Sequence, residues 1–219
     1  QTETAPVVSA NPPEKIKLDT VGTIFKGTQV KIANDGEILV SGENIMNGYW
    51  NDPEATASTI IDGWVHTGDI GEFDDDQYLK ITDRKKDIIV NAGGDNISPS
   101  RVEEKLNIEP EIAQSMMYGD FKNYLVAIIV PDKDLALQWA NDHGKKPDLA
   151  SLIKDGDFIK MMKDVTAKVN NNLSAIEQVR KFLLVEEEFT IENDMMTPTM
   201  KVKRFKVKNT YKDQLENLY

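Results

Sequence analysis

GWVHTGDIGEFDDDQYLKITDRKKDIIVNAGGDNISP, residues 63–99, holds the pattern that decides the fold. Apolar, β-branched and aromatic residues at 64–73 and 78–82 flank Asp74-Asp75-Asp76, which predicts two antiparallel strands closed by an acidic turn. A calcium loop would need a glycine and a terminal glutamate at fixed offsets after those aspartates, and neither is there, so a solvated turn is expected. A basic junction follows, Asp83-Arg84-Lys85-Lys86-Asp87. Beyond it, residues 88–91 read as a short strand, Gly93-Gly94 as a turn, and Ser98-Pro99 as the N-cap and first residue of a helix carrying Val102 and Leu106.

Upstream, the chain reads as β. Residues 28–32 alternate, Asn34-Asp35-Gly36 is a strong hairpin signal, and residues 37–41 return as its second strand. Residues 44–50 form a glycine-broken aromatic loop, and Asp52-Pro53 predicts the start of a short helix. Downstream, residues 114–118 and 124–130 read as strands, Leu135 and Trp139 share a helix face, and Phe158, Met162, Val165, Val169 and Leu173 form an apolar stripe. The methionines in this part are expected to fill the core. A strand over 182–185 and a terminal helix carrying Tyr211, Leu215 and Leu218 complete the order. The fold class expected is α+β: a mostly-β part over residues 1–83, then an α+β domain over 84–219.

Charge supports that division. Residues 1–83 hold 15 acidic and 5 basic side chains, whereas the remainder holds 22 and 21, so the balance changes at the Asp83–Arg84 junction. The overall charge of −11 argues against a nucleic-acid or anionic-membrane surface. No cysteine is present, which excludes disulfides, thiolate metal sites and a thiol nucleophile. With two histidines only, a His-rich metal site is excluded too, and His143 in a polar turn reads as a solvated loop residue. No apolar run approaches the ~20 residues of a transmembrane helix, and no leader is evident. The chain opens on Gln1 without a methionine, so a fragment of a longer protein is expected.

Three stretches can carry chemistry. The Asp69 carboxylate of Thr67-Gly68-Asp69 is either a turn residue or an acceptor for the two vicinal hydroxyls of a ribose. Arg84, across the hairpin, could bring a second polar group to the same sugar or its phosphate. Gly93-Gly94 is either a plain turn or a side-chain-free loop along which an extended ligand runs close to the backbone. Thr197-Pro198-Thr199-Met200-Lys201-Val202-Lys203-Arg204 follows an acidic run. It is either charge compensation on a solvated face or a loop presenting an ammonium to a phosphate–carboxylate reaction.

Taken together and in order, these blocks resemble the AMP-forming acyl-CoA synthetases of the adenylate-forming superfamily. Thr2-Glu3-Thr4 resembles the family's threonine–glutamate motif without the preceding Tyr-Gly. Gly36-Glu37-Ile38-Leu39-Val40, Gly48-Tyr49-Trp50 and Gly63-Trp64 through Asp69 match successive blocks, residues 82–99 the hinge and glycine loop, and residues 196–204 the lysine motif. YLVAIIVPD (124–132) is similar to the long-chain fatty acid branch. The resemblance implies a small barrel-like β subdomain ending the large ATP-binding domain, then a mobile α+β lid. It implies activation of a fatty acid with ATP and Mg2+ to acyl-AMP, then transfer to coenzyme A. Thr2 would contact the nucleotide phosphate and Glu3 would hold Mg2+. Asp69 and Arg84 would hold the ribose, Lys86 would be the hinge, and Gly93 and Gly94 would approach the pantetheine arm of coenzyme A. Lys201 would be the adenylation lysine, with Lys203 as competitor because Met200 replaces the usual glycine. Asn96 departs from the family's pattern and puts an adenine contact there in doubt.

ATP, fatty acid and coenzyme A would be bound together with the missing N-terminal part of the same chain, leaving this piece inactive alone. The localisation implied is cytoplasmic or peripheral at a membrane. Other readings are a fatty acyl-AMP ligase or another adenylate-former with a different acceptor, and an interaction module derived from the lid.

Overall fold

Gly36 takes a positive φ of 85° and closes the hairpin that the Asn34-Asp35-Gly36 turn predicts. That hairpin belongs to the first of two compact units, Gln1–Lys86 and Asp87–Tyr219, into which the computed structural model of the whole chain, residues 1–219, divides. The boundary lies inside the basic junction, just past the break in charge.

The first unit holds β1 (Ser9–Ala10), β2 (Thr23–Ile24), β3 (Thr28–Ile32), β4 (Glu37–Gly42), β5 (Ile60–Ile61), β6 (Trp64–Phe73) and β7 (Leu79–Arg84), with α1 (Pro53–Thr59) between β4 and β5. Asp52 caps α1 by accepting from the Ala55 N–H, and Pro53 occupies its first turn. Ten-residue β6 organises the antiparallel sheet: β4 lies along one edge, while β5 and then β7 share the other. The register between β6 and β7 shifts at Gly71, where a Cβ would lie 2.4 Å from the Lys80 carbonyl oxygen, so the close approach needs a glycine. Ile38, Val40 and Leu79 form a small core, joined by partly buried Val8, Val21, Ile24, Val30 and Phe73.

The acidic turn is more than solvated. Asp74 accepts from the Asp76 and Tyr78 N–H groups, both at 2.9 Å, and Lys17 Nζ reaches Asp74 at 2.5 Å and Asp76 at 3.1 Å. Local backbone donors plus one lysine offset a charge density that the sequence alone assigns to water.

The second unit contains β8 (Ile89–Val90), β9 (Asn96–Ile97), β10 (Ile112–Tyr118), β11 (Leu125–Pro131) and β12 (Val179–Leu184). Its helices are α2 (Pro99–Asn107), α3 (Lys133–Asp142), α4 (Leu149–Leu152), α5 (Gly156–Asn170), α6 (Arg204–Thr210) and α7 (Lys212–Glu216). Central β11 runs antiparallel to β10 and parallel to β12, and every one of its residues is buried. Alternation divides its side chains. Leu125, Ala127 and Ile129 join the core with Val102, Leu106, Phe158 and Met162, while Val126, Ile128 and Val130 pack with Phe189, Val207, Tyr211 and Leu215. A strand covered on both faces reads as a continuous apolar run, as this one does.

The apolar stripe of α5 packs as the 3.6-residue period requires, although Leu173 lies past its end. The terminal helix breaks at Tyr211 into α6 and α7, and Leu218 falls beyond α7. His143 is exposed, yet its ring stacks on Trp139 at 4.2 Å. No helix is long and apolar enough to cross a membrane.

Candidate functional site

In the first unit, the β6–β7 register sets Asp69 opposite Arg84, and Arg84 Nε lies 2.9 Å from Asp69 Oδ1. Asp69 and Thr67 line a cavity of about 320 Å³ with Gln1, Val8, Leu79 and Ile81. Thr67 turns its hydroxyl inward to donate to the Ile38 carbonyl at 2.7 Å and accepts from the Asp69 N–H at 3.1 Å. Gly68 sits at φ 70° and gives its N–H to Glu37 Oε1 at 2.9 Å. The weak three-residue motif is therefore a stretch of β6, with a positive φ at Gly68, that sets one carboxylate beside one guanidinium.

Thr2 and Glu3 lie in a 3-10 turn, Thr2–Thr4, anchored by buried Thr4. Gln1 Nε2 donates to the Thr67 carbonyl at 3.4 Å, and the Glu3 carbonyl accepts from Met46 at 2.8 Å. Thr2 is exposed, and the Glu3 carboxylate accepts from Tyr49 Oη at 2.8 Å. Its own backbone N–H and then the Tyr49 hydroxyl hold Glu3 below the ordinary carboxylate range, with a smaller contribution from the Arg84 charge. No three carboxylate or imidazole side chains gather into a metal cage. One carboxylate is nevertheless a donor set Mg2+ accepts when substrate phosphates supply further oxygens.

The residue that sequence reading missed here is Glu37. It is almost wholly buried at the start of β4, where it accepts from Gly68, from His66 Nδ1 at 2.9 Å and from Lys85 Nζ at 2.8 Å. Lys85 also reaches Asp35 at 2.8 Å. Burial raises the Glu37 pKa, but Lys85, His66 and the Gly68 N–H together outweigh it and keep the carboxyl below its ordinary value. The available signal was a glutamate opening an otherwise apolar strand, Glu37-Ile38-Leu39-Val40. Lys86, next along the chain, is exposed and ends the first unit.

In the second unit, Gly93 and Gly94 lie exposed in the turn between β8 and β9, with Gly94 at φ 85°. Asn91 Oδ1 accepts from the Gly93 and Asp95 N–H groups, both at 2.9 Å, and Asn96 starts β9.

The lysine stretch is a small closed hairpin. Met196 bridges Val202, and Thr197 N–H donates to the Lys201 carbonyl at 2.8 Å. The Lys201 N–H in turn donates to Thr197 Oγ1 at 3.1 Å. Met200 sits at φ 61°, in the left-handed region that suits the glycine usual at this point in the family. Lys201 is exposed and forms no ion pair, whereas Lys203 is held by Asp194. Arg204 makes a bidentate pair with buried Glu103, both contacts at 2.5 Å. The candidate residues thus fall into separate sets: Thr2, Glu3, Asp69 and Arg84 in the first unit, Gly93, Gly94 and Lys201 in the second. Within the second, no hydrogen bond or ion pair joins the glycine turn to the lysine hairpin.

The first unit thus sets the Asp69 carboxylate beside the Arg84 guanidinium, and the hairpin of the second leaves Lys201 without an ion pair. The sequence profile of the AMP-binding enzyme C-terminal domain matches residues 86–219, so the chain belongs to that family. A long-chain-fatty-acid–CoA ligase, FadD15, from Mycobacterium bovis is 36% identical over the full chain, which spans 37% of that relative's length. Human long-chain-fatty-acid–CoA ligase 1 is 36% identical over 84% of the chain and 27% of its own length. Among solved structures, the A domain of a carboxylic acid reductase from Segniliparus rugosus, in complex with AMP and a co-purified carboxylic acid, superposes with a TM-score of 0.68. It is 25% identical, over 91% of this chain and 32% of that one.

Proposed function

We propose that the chain is the C-terminal portion of a long-chain fatty acid–CoA ligase, acting with the part of the same protein that precedes it. The carrying observation is the cation left available in the lysine hairpin: Lys203 and Arg204 are engaged by carboxylates, and Lys201 is not. In the first half-reaction a carboxylate oxygen attacks the α-phosphorus of ATP and the bond to pyrophosphate breaks. In the second, the coenzyme A thiolate attacks the acyl carbonyl and AMP leaves. Lys201 stands between the α-phosphate and the attacking carboxylate and offsets the negative charge that builds there.

Asp69 accepts from both ribose hydroxyls, Arg84 holds the Asp69 carboxylate in place and adds a donor to the sugar, and Thr2 meets the phosphate. Glu3 would hold Mg2+ through one carboxylate oxygen, and the ion would supply positive charge to offset that of the phosphates. Lys86 is the pivot on which the second unit changes orientation between half-reactions, and Gly93 and Gly94 then line the pantetheine arm. The fragment alone lacks most of the positioning groups and is inactive, at the cytoplasmic face of metabolism or against a membrane surface.

The test is Lys201→Ala in the full-length enzyme. Fatty-acid-dependent pyrophosphate release falls about 10²–10³-fold, while thioester formation from supplied acyl-adenylate stays within about threefold. Wild-type rates in both steps overturn the lysine's role. AMP release that proceeds fully without coenzyme A overturns the acceptor assignment, and pyrophosphate release by residues 1–219 alone overturns the inactivity of the fragment.

A further inference from the structure

Glu37 gathers two side chains and one backbone N–H around one carboxylate. Its Oε1 takes the Gly68 N–H, in the stretch of β6 that presents Asp69. Its Oε2 takes Lys85 Nζ and His66 Nδ1. Lys85 bridges onward to Asp35 in the β3–β4 turn, so the residue immediately before Lys86 is fastened to two carboxylates of that hairpin. The side chain of Glu37 is 4% exposed against 47% for Lys85, so the carboxylate is fixed in the sheet and the lysine is the detachable end. Lys86 forms no comparable pair. Lys86, in the middle of the short 3-10 turn Lys85–Asp87, therefore follows a residue whose side chain is anchored while its own is not.

We infer that Glu37 is a positioning residue, binding the Gly68 amide and the Lys85 ammonium at once and so coupling the seat of the nucleotide's ribose to the pivot at Lys86. This rests on the proposed reading of Asp69 as ribose acceptor and Lys86 as pivot. Any shift of Glu37 toward or away from Lys85 moves the Gly68 amide, and with it the Asp69 carboxylate one residue on. Linkage makes the effect reciprocal: a nucleotide that fixes Asp69 tightens the Lys85 pin, and a loosened pin weakens the nucleotide. The Lys85 ammonium is engaged by Asp35 and Glu37, which separates coupling from direct binding.

The test uses the full-length enzyme with AMP as the probe. AMP affinity is measured by calorimetry, and amide hydrogen exchange over residues 85–88 by mass spectrometry with and without AMP. In the wild type, AMP slows exchange across this segment. Lys85→Met, half-exposed and free to keep its aliphatic stem packed, weakens AMP binding about fivefold or more and abolishes the exchange response. It raises KM for ATP to a similar extent with kcat within about twofold, and Lys85→Arg restores both. Unchanged AMP affinity together with a wild-type exchange response in Lys85→Met overturns the coupling. So does a variant whose thermal midpoint falls while its AMP-linked response survives, because a merely structural tie behaves that way. Asp69→Ala separates the two levels: if it binds AMP as the wild type does, the ribose assignment fails, and the inference with it.

Discussion

Glu37 in the first unit and Glu103 in the second are both buried beside a basic partner, and the two sites are built in opposite ways. Glu103 of the second unit meets Arg204 in a bidentate pair, and a further oxygen contact takes the Met117 N–H at 2.6 Å on β10. That pair sits beside a sheet covered on both faces, with Val102, Leu106 and Ile128 fully enclosed. Glu37 of the first unit is as buried, but its lysine and histidine partners reach water and the core around it is three residues deep. Large apolar side chains there stay open, Leu18 at 95% and Trp50 at 91%. The contrast separates a charge enclosed within a domain core from a charge that ties the end of the first unit to its sheet.

The largest expected effect follows from that contrast. Glu103→Ala leaves the Arg204 guanidinium mostly enclosed without its counter-ion, at a cost of about 3–5 kcal/mol to the second unit. Glu37→Ala leaves Lys85 and His66 able to turn to solvent. Its cost is about 1–3 kcal/mol, dominated by the orphaned Gly68 N–H and the lost packing. Urea unfolding of the 219-residue chain, followed at Trp139 for one unit and Trp64 for the other, measures both. Equal costs would break the comparison.

Acid and base sharpen it at intermediate size. The folded pKa of Glu37 lies below its ordinary 4.5, so its contribution is fully present above that value and is lost as pH falls through the folded pKa. Burial, and then the hydrogen bond to Glu216, push the Tyr118 hydroxyl up to about 12, and burial raises Tyr211 and Tyr219 as well. A raised folded pKa stabilises fully below 10.0 and its contribution disappears as pH rises through about 12. Limited proteolysis across a pH series should therefore open the first unit first in acid and the second first in alkali. The reverse order would show that other groups govern each unit.

The two units also differed in how far the sequence revealed them. Periodicity is a local signal, and it located β6, the β3–β4 hairpin, the capped start of α2 and the stripe on α5, each set by neighbours a few residues apart. β11 was legible because two covered faces demand an unbroken apolar run. Two-residue strands such as β5 and β9 escaped, since their pairing comes from tertiary neighbours. The break at Tyr211 escaped for another reason: the apolar spacing of Tyr211 and Leu215 persists across it, while the helical hydrogen bonding does not. At the candidate sites, the sequence supplied the polar residues but not their partners. Asp69 and Arg84 could be paired because a hairpin joins them. Glu37 with Lys85 and Glu103 with Arg204 could not, because their separations of 48 and 101 residues carry no periodic signature.

The smallest expected effect distinguishes the two lysines of the hairpin. Lys203 is partly exposed, its partner Asp194 is open to water, and the Lys203 backbone carbonyl accepts the first bonds of α6. Removing an exposed pair of this kind costs little, and salt screens it further. Lys203→Ala should therefore leave the hairpin's backbone bonds between Thr197 and Lys201 intact and lower pyrophosphate release by the full-length enzyme less than about threefold. Freed from Lys203, Asp194 still has Lys206 at 3.7 Å, so the loop keeps a counter-ion and Lys201 keeps its freedom. A loss from Lys203→Ala as deep as that from Lys201→Ala would mean that the engaged lysine leaves Asp194 during turnover. The availability of a charge in the unliganded fold would then no longer mark the lysine that meets the phosphate.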